Sequence, residues 1–316
     1  MSIAIICSFF TISCKNNTES SYDFNSLNLV SSSSNQGADN KVSFFADDLC
    51  VIGDEDRIIE DVNMDLAEAA ALFDTTTGEV VYAKNVHERL YPASTTKILT
   101  ALVALENGNL NDIVEITPDC LKLESGASKC GFALGDKPTL SQVLNGFLIY
   151  SGNDAGVAIA NHISGSVEEF AKLMNEKAKS LGATNSHFVN PHGLHDENHY
   201  TTAYDLYLIF NEAIKNNEFK NIIGKTTYTA SFPGSNGEIK EITWTNTNRY
   251  FKGTAKTPEN MNIIGSKTGT TNEAGACLVL LSENASNNKP YISIILKSSD
   301  AGTMYVEMNE LLNLIN

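Results

Sequence analysis

A serine and a lysine, Ser94 and Lys97, have the residue types and spacing for nucleophilic chemistry. Pro92 favours an extended residue before it, and the apolar residues between Ile98 and Leu105 recur at helical spacing, so Ser94 is predicted near the first turn of a helix. Unpaired backbone N–H groups and the helix dipole favour an anion there. Lys97 lies on the same face, and a desolvated lysine can lose its proton and accept that of a serine. Ser94 is therefore a candidate nucleophile and Lys97 its candidate base.

The same tetrad also has an ordinary structural interpretation. Ser-x-x-Lys occurs by chance in many chains, and Ser94 could be a helix N-cap with Lys97 solvated beside it. The catalytic hypothesis therefore depends on what the rest of the chain supplies.

A second motif, Ser151-Gly152-Asn153, interrupts two predicted helical segments, so its side chains would project from a turn. The Ser151 hydroxyl could relay a proton between Lys97 and a leaving amine. The Asn153 amide could hold Lys97 or a substrate carbonyl. An ordinary turn is the alternative interpretation.

A third motif, Lys267-Thr268-Gly269-Thr270, ends a predicted strand. A lysine and a threonine hydroxyl together bind a carboxylate, and Gly269 would let a ligand backbone lie against the strand edge. The Thr270 backbone N–H, with that of Ser94, could form an oxyanion hole. In isolation the motif is an ordinary strand-to-turn sequence.

Together and in this order, Ser94-x-x-Lys97, Ser151-x-Asn153 and Lys267-Thr268-Gly269 resemble the three motifs of penicillin-binding proteins and serine β-lactamases. Several surrounding stretches are similar to the low-molecular-mass serine D-alanyl-D-alanine carboxypeptidases: 92–102, 151–155, 190–194, 200–205, 246–248 and 265–271. The resemblance covers roughly residues 64–316.

The resemblance implies removal of the terminal D-alanine from peptidoglycan stem peptides through an acyl-enzyme on Ser94, which water then hydrolyses. It implies that β-lactams such as penicillin acylate the same serine. Lys267 and Thr268 would receive the terminal carboxylate, beside Gly269 and Thr270, and no metal or organic cofactor is needed. Lys97 is the expected base in deacylation, with Ser151 assisting.

Two alternative functions remain open at this point. A serine β-lactamase shares the nucleophile and base, but its best-known class carries a glutamate beyond the Ser-x-Asn motif that orients water. Residues 185–190 contain no carboxylate, so slow release of penicillin is expected. A non-catalytic β-lactam-sensing or wall-binding module is the other alternative, although a pure binder would not need Lys97.

Composition excludes one class of partner. The chain has 316 residues, of which 42% are hydrophobic, enough to form one large domain. Its 22 basic and 38 acidic residues give a formal net charge of -16. Such a surface repels phosphate backbones, so we expect no nucleic-acid partner.

The N-terminus resembles an export signal. Residues 1–14 form an apolar run too short to span a bilayer, and after Cys14 the sequence turns polar, as at a bacterial lipoprotein cleavage site. Thr11 stands where such sites usually carry leucine. We predict export to the extracytoplasmic face of the membrane or the cell wall, with lipidation of Cys14 as the membrane attachment. A frayed apolar terminus is the alternative.

The remaining chain divides into a Ser- and Asn-rich tether, 15–62, and a catalytic domain, 63–316. Proteins of the family that it resembles commonly carry a C-terminal β-rich domain and an amphipathic membrane helix. Because the sequence extends only about 45 residues beyond Lys267-Thr268-Gly269, we expect neither here, so any membrane attachment would depend on the N-terminus.

Periodicity predicts a mixed α/β (α+β) fold. A hairpin over 69–83 precedes helices over 140–150, 155–163, 167–181 and 202–216, and a second hairpin, three strands and a closing helix follow. One antiparallel sheet built from both chain ends, flanked by helices and with an inserted helical lobe, accounts for this order. The resemblance implies the β-lactamase/transpeptidase-like version of it.

Cysteines and histidines suggest no metal site. In an exported protein Cys120 and Cys130 could form a disulfide, which would leave Cys50 and Cys277 without obvious partners. The four histidines between His187 and His199 lack a zinc-binding spacing and are predicted to be surface or loop residues.

Overall fold

A computed structural model describes residues 49–315, which belong to one compact unit. The predicted signal-like segment 1–14, with Cys14, and tether residues 15–48 lie outside the described residues. Within residues 49–315, no helix is long and apolar enough to cross a bilayer.

The described chain contains seven strands and eight α-helices. The strands are β1 (Ala67–Asp74), β2 (Glu79–Lys84), β3 (Thr227–Pro233), β4 (Ile239–Thr245), β5 (Met261–Thr271), β6 (Gly275–Asn284) and β7 (Pro290–Ser298). The helices are α1 (Lys97–Asn107), α2 (Pro118–Leu121), α3 (Leu140–Asn145), α4 (Asn153–Ser164), α5 (Val167–Ser180), α6 (Ala203–Ala213), α7 (Asn217–Ile223) and α8 (Ala301–Asn313). A 3-10 turn, Ala93–Thr96, leads into α1, and a π-helical turn, Gly146–Tyr150, follows α3.

The main sheet is antiparallel and has the strand order β2-β1-β7-β6-β5. Both chain ends build it, and α1–α7 with the separate β3–β4 hairpin are inserted between β2 and β5. The predicted fold class is confirmed.

Strand β1 lies inside this sheet, paired with β2 on one side and β7 on the other. Its apolar side chains alternate between two cores: Ala69, Ala71 and Phe73 pack with the helical lobe, whereas Ala70 and Leu72 pack beneath α8. Both faces of the sheet are therefore covered, which explains why the sequence of β1 is a continuous apolar run instead of an alternating one.

Helix α1 is the central helix of the lobe. Every residue from Lys97 to Ala104 is buried, as expected for a helix surrounded by other elements. It ends at Asn107, with Gly108 following in an extended conformation. The 3-10 turn before it packs against β5, so Ser94 lies between the helical lobe and the sheet edge.

Two predicted helices end earlier than their periodicity suggests. The helix predicted over 140–150 is α-helical only to Asn145, and its last turn widens to a π-helix. The helix predicted over 202–216 ends at Ala213, because the Asn216 side chain accepts hydrogen bonds from the N–H groups of Glu218 and Phe219 and caps the unpredicted α7.

Part of the predicted tether contacts the domain. The backbone N–H of the fully buried Cys50 donates to the Tyr207 hydroxyl at 2.8 Å, and Arg57 pairs with Ala83 in an antiparallel bridge. The boundary at residue 62 stays a prediction, but residues 49–62 include contacts to the core.

The possible Cys120–Cys130 disulfide is not formed. Both residues are buried free thiols, as are Cys50 and Cys277 in the described part of the chain. Cys120 Sγ lies 3.4 Å from the Thr117 hydroxyl, whereas the backbone of Cys130 is held elsewhere, by Asp154 and Trp244.

The four histidines lie in a loop, as predicted, between α5 and α6. His187 and His195 are exposed, but His192 and His199 are buried in the loop between α5 and α6. The buried pair lies against Lys97 and Thr96, close to the start of α1.

Trp244 connects the β3–β4 hairpin to the loop before α3. Its Nε1–H donates to the Cys130 carbonyl at 2.9 Å, and its ring stacks on Tyr228 and meets Phe132 edge-on. The side chain is 1% exposed.

We expect Trp244→Ala to lower the free energy of unfolding by about 3–5 kcal/mol, because it leaves a large cavity. Trp244→Phe retains most of the packing and should cost about 1–3 kcal/mol, since it leaves the buried Cys130 carbonyl unpaired. Urea unfolding monitored by circular dichroism measures both. An effect of Trp244→Ala below about 1 kcal/mol would contradict this role.

Candidate active site

Ser94 and Lys97 meet as their spacing predicts. Lys97 Nζ lies 2.8 Å from Ser94 Oγ, 2.7 Å from Asn153 Oδ1 and 2.6 Å from the His192 carbonyl oxygen. The Lys97 side chain is fully buried. The alternative interpretation, with Lys97 solvated beside a capping serine, is therefore wrong for this structure.

These three partners suit a neutral amine. Asn153 Oδ1 and the His192 carbonyl oxygen can only accept, so they take the two N–H groups of an uncharged Lys97. The remaining lone pair then faces Ser94 and can accept a hydrogen bond from its hydroxyl. Burial lowers the pKa of Lys97 well below its ordinary value, and the nearby Lys267 lowers it further. Lys97 is thereby suited to act as a base towards Ser94.

Lys267 is the second buried amine of the site. Its Nζ donates to Ser151 Oγ at 3.0 Å and to the Thr268 carbonyl at 2.7 Å, and the side chain is 1% exposed. Burial lowers the pKa of Lys267 to about 7. Ser151 is thus paired with Lys267, not with Lys97 as the proton-relay hypothesis supposed.

The turn that carries Ser151 and Asn153 is strained and firmly held. Ser151 has a φ of 68°, in the left-handed region that residues with a Cβ seldom occupy. Asp154, 1% exposed, accepts hydrogen bonds from the N–H groups of Cys130 and Gly131, and the Asn153 N–H donates to the Ser128 carbonyl. These bonds fix the turn against the loop before α3.

Strand β5 forms the opposite wall. A Cβ built on Gly269 would lie 2.8 Å from the backbone nitrogen of Ser94, so only glycine permits this approach. The hydroxyls of Thr268 and Thr247 are 2.6 Å apart, which orients Thr268 from the loop before β5. Thr270 follows on the same strand.

A cavity of about 360 Å³ brings the three predicted motifs together. It is lined by Ser94, Ser151 and Asn153, by Thr268, Gly269 and Thr270, and by four residues of the other stretches that resemble the carboxypeptidases, Gly193, Leu194, Thr247 and Thr271. The lining residues that the sequence did not single out are Gly126, Ala127, Ser128, Arg249, Ala301, Met304 and Tyr305. No aspartate or glutamate of the described residues is part of this lining.

Arg249 is the most informative of the residues that were missed. It lines the cavity, stacks over the Tyr305 ring, and makes none of the ion pairs found among residues 49–315. An unpaired guanidinium facing a cavity is suited to an anion. Residues 246–248 belong to a stretch that resembles the carboxypeptidases, and Arg249 follows it directly. No spacing rule, however, relates Arg249 to Lys267 of β5.

The site combines the Ser94 hydroxyl, in contact with the buried Lys97 amine, with a second buried lysine at Ser151 and the Arg249 guanidinium on the cavity wall. No group of His, Cys, Asp or Glu residues in the described chain is arranged to hold a metal ion. The residues present favour acyl transfer to Ser94 from a substrate that carries a carboxylate near the reacting carbonyl.

The comparisons with known proteins agree with this chemistry. Residues 59–300 match the family model described as D-alanyl-D-alanine carboxypeptidase. The chain is 36% identical over 250 residues to D-alanyl-D-alanine carboxypeptidase DacF of Bacillus subtilis, an alignment covering 78% of this chain and 61% of that protein. It is 32% identical over 248 residues to the D-alanyl-D-alanine carboxypeptidase of Streptomyces sp. K15, covering 75% and 82%.

The fold is similar to solved structures of the same group. The crystal structure of the Streptomyces K15 DD-transpeptidase aligns with a TM-score of 0.73 and 30% identity over 80% of this chain and 98% of that one. A D-alanyl-D-alanine carboxypeptidase from Mycobacterium tuberculosis aligns with a TM-score of 0.70 and 29% identity, covering 80% and 92%.

We expect Lys267 to titrate near neutrality. Lys267 should be charged below pH 7 and neutral above it, because burial penalises the ammonium. NMR of protein labelled at the lysine ε-carbon measures the midpoint, and Lys267→Met assigns the resonance by its loss. A midpoint above about 9, near that of an ordinary lysine, would show that the ammonium is stabilised in the cleft.

Proposed function

This chain belongs to the D-alanyl-D-alanine carboxypeptidase family, and we propose that it is itself a serine-type carboxypeptidase that removes the terminal D-alanine from peptidoglycan stem peptides. The contact that carries the proposal is the 2.8 Å approach of a fully buried, carbonyl-paired lysine amine to the Ser94 hydroxyl. The chain aligns with only 61% of the length of the Bacillus relative and 56% of that of a Haemophilus influenzae relative. The activity of those whole proteins is therefore proposed for this chain and not assigned to it from their names.

Acylation begins with the neutral Lys97 amine. It takes the Ser94 proton as Oγ attacks the carbonyl between the two D-alanines, and the backbone N–H groups of Ser94 and Thr270 stabilise the oxyanion. Collapse of the tetrahedral intermediate breaks the C–N bond and leaves an ester on Ser94. The departing D-alanine amine takes the proton that Lys97 received from Ser94, which leaves Lys97 neutral again for the next step.

Deacylation uses the same base, with water as the nucleophile and Ser94 as the leaving group. Lys97 accepts a proton from water as the water attacks the ester, with Ser151 assisting, and Ser94 recovers its proton. The terminal carboxylate is held by Lys267 and Thr268 during acylation, and Arg249 adds a guanidinium on the same cavity wall.

Penicillin would acylate Ser94 by the same steps, since it presents a strained amide and a carboxylate to the same groups. The β-lactamase alternative is disfavoured because residues 49–315 contribute no carboxylate to the cavity lining that could activate water. Asp154, the acidic residue beside the Ser-x-Asn motif, is committed to backbone N–H groups. We therefore expect a long-lived penicilloyl-enzyme.

The proposed substrate places the enzyme outside the cytoplasm, at the extracytoplasmic face of the membrane or in the cell wall. The apolar segment 1–14 supports export, and its Cys14 remains the predicted lipidation site. The assignment of 63–316 as the catalytic domain likewise stays a prediction.

Ser94→Ala should abolish release of D-alanine from a peptide ending in D-Ala-D-Ala, and Lys97→Met should reduce kcat/KM at least about 10³-fold, because each removes a group of one catalytic unit. Ser293→Ala is the matched control: this hydroxyl is buried in the sheet without a hydrogen-bond partner among the described residues, so activity should be retained.

The same assay separates the alternatives. A β-lactam sensor would form the penicilloyl adduct, seen by mass spectrometry, yet release no D-alanine. A β-lactamase would hydrolyse penicillin within seconds instead of retaining it. Either result would replace the carboxypeptidase proposal.

Arg249→Gln should raise KM about tenfold for a peptide with a free terminal carboxylate while changing kcat little, because it removes a charge-assisted contact made in both the ground and transition states. Lys252→Gln, an exposed charge of the same loop, should leave KM unchanged. The decisive comparison is a peptide with a C-terminal amide: wild type and Arg249→Gln should cleave it equally poorly. An equal loss of activity towards both peptides in Arg249→Gln would mean that Arg249 does not bind the terminal carboxylate.

A further inference from the structure

The residue before the nucleophile has an unusual backbone conformation. Ala93 has a φ of 47°, in the left-handed region, which costs an alanine about 1–2 kcal/mol. Its carbonyl oxygen accepts a hydrogen bond from the Thr96 hydroxyl at 2.8 Å. The strain is therefore held by a specific contact within the same turn.

The Thr96 hydroxyl is in turn oriented by His199. The Val189 backbone N–H donates to His199 Nδ1 at 3.1 Å, so Nδ1 carries the lone pair and Nε2 carries the proton. His199 Nε2–H then donates to Thr96 Oγ1 at 2.8 Å, which leaves the threonine proton for the Ala93 carbonyl. Thr96 is 0% and His199 2% exposed, so water does not compete for these bonds.

The neighbouring loop closes this relay. Gly193, at a φ of 82°, packs so closely that a Cβ there would lie 2.8 Å from Thr96 Oγ1 and would also collide with the Ala93 carbonyl. The preceding residue, His192, supplies the carbonyl that accepts from Lys97. One loop therefore contacts both the relay and the base.

The relay acts on the nucleophile through peptide geometry. The Ala93 carbonyl and the Ser94 N–H belong to one planar trans peptide unit and so point in opposite directions. Drawing the carbonyl towards Thr96 and His199 turns the N–H towards the other side, where Gly269 of β5 lies against the Ser94 nitrogen. This is the wall along which the reacting carbonyl must lie.

We propose that His199 is a positioning residue which, through Thr96, aims the Ser94 backbone N–H into the cleft as an oxyanion donor. The inference rests on the proposed function and adds to it a pair of side chains that touch no substrate atom. Loss of one oxyanion donor typically lowers kcat by about 10²–10³, so misdirecting it should cost about tenfold or more.

The relay can be broken without changing side-chain volume. Thr96→Val removes the hydroxyl and retains the branched shape, and Thr96→Ser restores the hydroxyl. Thr95→Val is the matched control, because Thr95 is also 0% exposed and donates to the Pro92 carbonyl at 2.7 Å, which is not part of the Ser94 peptide unit. His199→Phe is a second break that retains a ring against Phe188.

The informative readout is binding of a peptide boronic acid, whose tetrahedral adduct on Ser94 places an oxygen where the oxyanion forms. We expect Thr96→Val and His199→Phe each to lower kcat/KM and boronate affinity in parallel by about 10–100-fold with KM nearly unchanged. Thr96→Ser should recover most of the loss, and Thr95→Val should lose stability to urea with less than a threefold change in boronate affinity. The double variant Thr96→Val/His199→Phe should be no worse than either single one.

Equal losses of boronate affinity for Thr95→Val and Thr96→Val, or additive effects of Thr96→Val and His199→Phe, would overturn the proposal. If Thr96→Val does not fold, the comparison of His199→Phe with Thr95→Val decides the matter in the same way. Wild-type protein that neither releases D-alanine nor binds the boronate would instead refute the proposed function itself.

Discussion

The structure depends on the burial of two lysine amines in one cleft. Lys97 and Lys267 are essentially inaccessible, and neither makes an ion pair with a carboxylate among the described residues. Each amine is satisfied by neutral oxygen atoms; burial lowers the pKa of both, and Lys267 lowers the pKa of Lys97 further. Because no carboxylate among the described residues pairs with either amine, Lys97 is suited to its proposed role as a base towards Ser94, and Lys267 to its proposed role of binding the carboxylate of a substrate.

The surrounding fold keeps the two lysines buried, although burying an amine without an ion pair is unfavourable. Helix α1 begins beneath the cleft and is buried on all sides, and β5 approaches the nucleophile so closely that Gly269 has no room for a side chain. Ser151 and Ala93 both occupy left-handed backbone conformations at the site, each fixed by neighbouring hydrogen bonds. Strain that concentrates at reacting residues and is held by the rest of the fold is a common feature of preorganised sites.

Local sequence was a good guide where local interactions decide the outcome. The hairpin of β1 and β2, with Gly78 in its turn at a φ of 73°, follows from side-chain periodicity and backbone preference. It was a poor guide where a distant partner decides. The helix over 140–150 loses its α geometry before the Ser151 turn, which Asp154 ties to Cys130, and Cys130 itself is held by Trp244 from a hairpin about a hundred residues away. The same contacts from Asp154 and Trp244 hold the backbone of Cys130, which is a free thiol and not bonded to Cys120.

Residue types and spacing made candidates of Ser94, Lys97, Ser151, Asn153 and Lys267–Thr270, and the resemblance of the three motifs to those of penicillin-binding proteins favoured them over the ordinary interpretation of each. The sheet built from both chain ends followed from alternation along the strands, which is local geometry. The pairing of those residues was not available from spacing. That Ser151 contacts Lys267, that Asn153 and a histidine carbonyl hold Lys97, that Arg249 enters the cavity, and that His199 reaches Thr96 are facts of chain packing. Hydrogen bonds between residues 50 to 120 positions apart depend on how the lobe and the sheet meet, which no local pattern encodes.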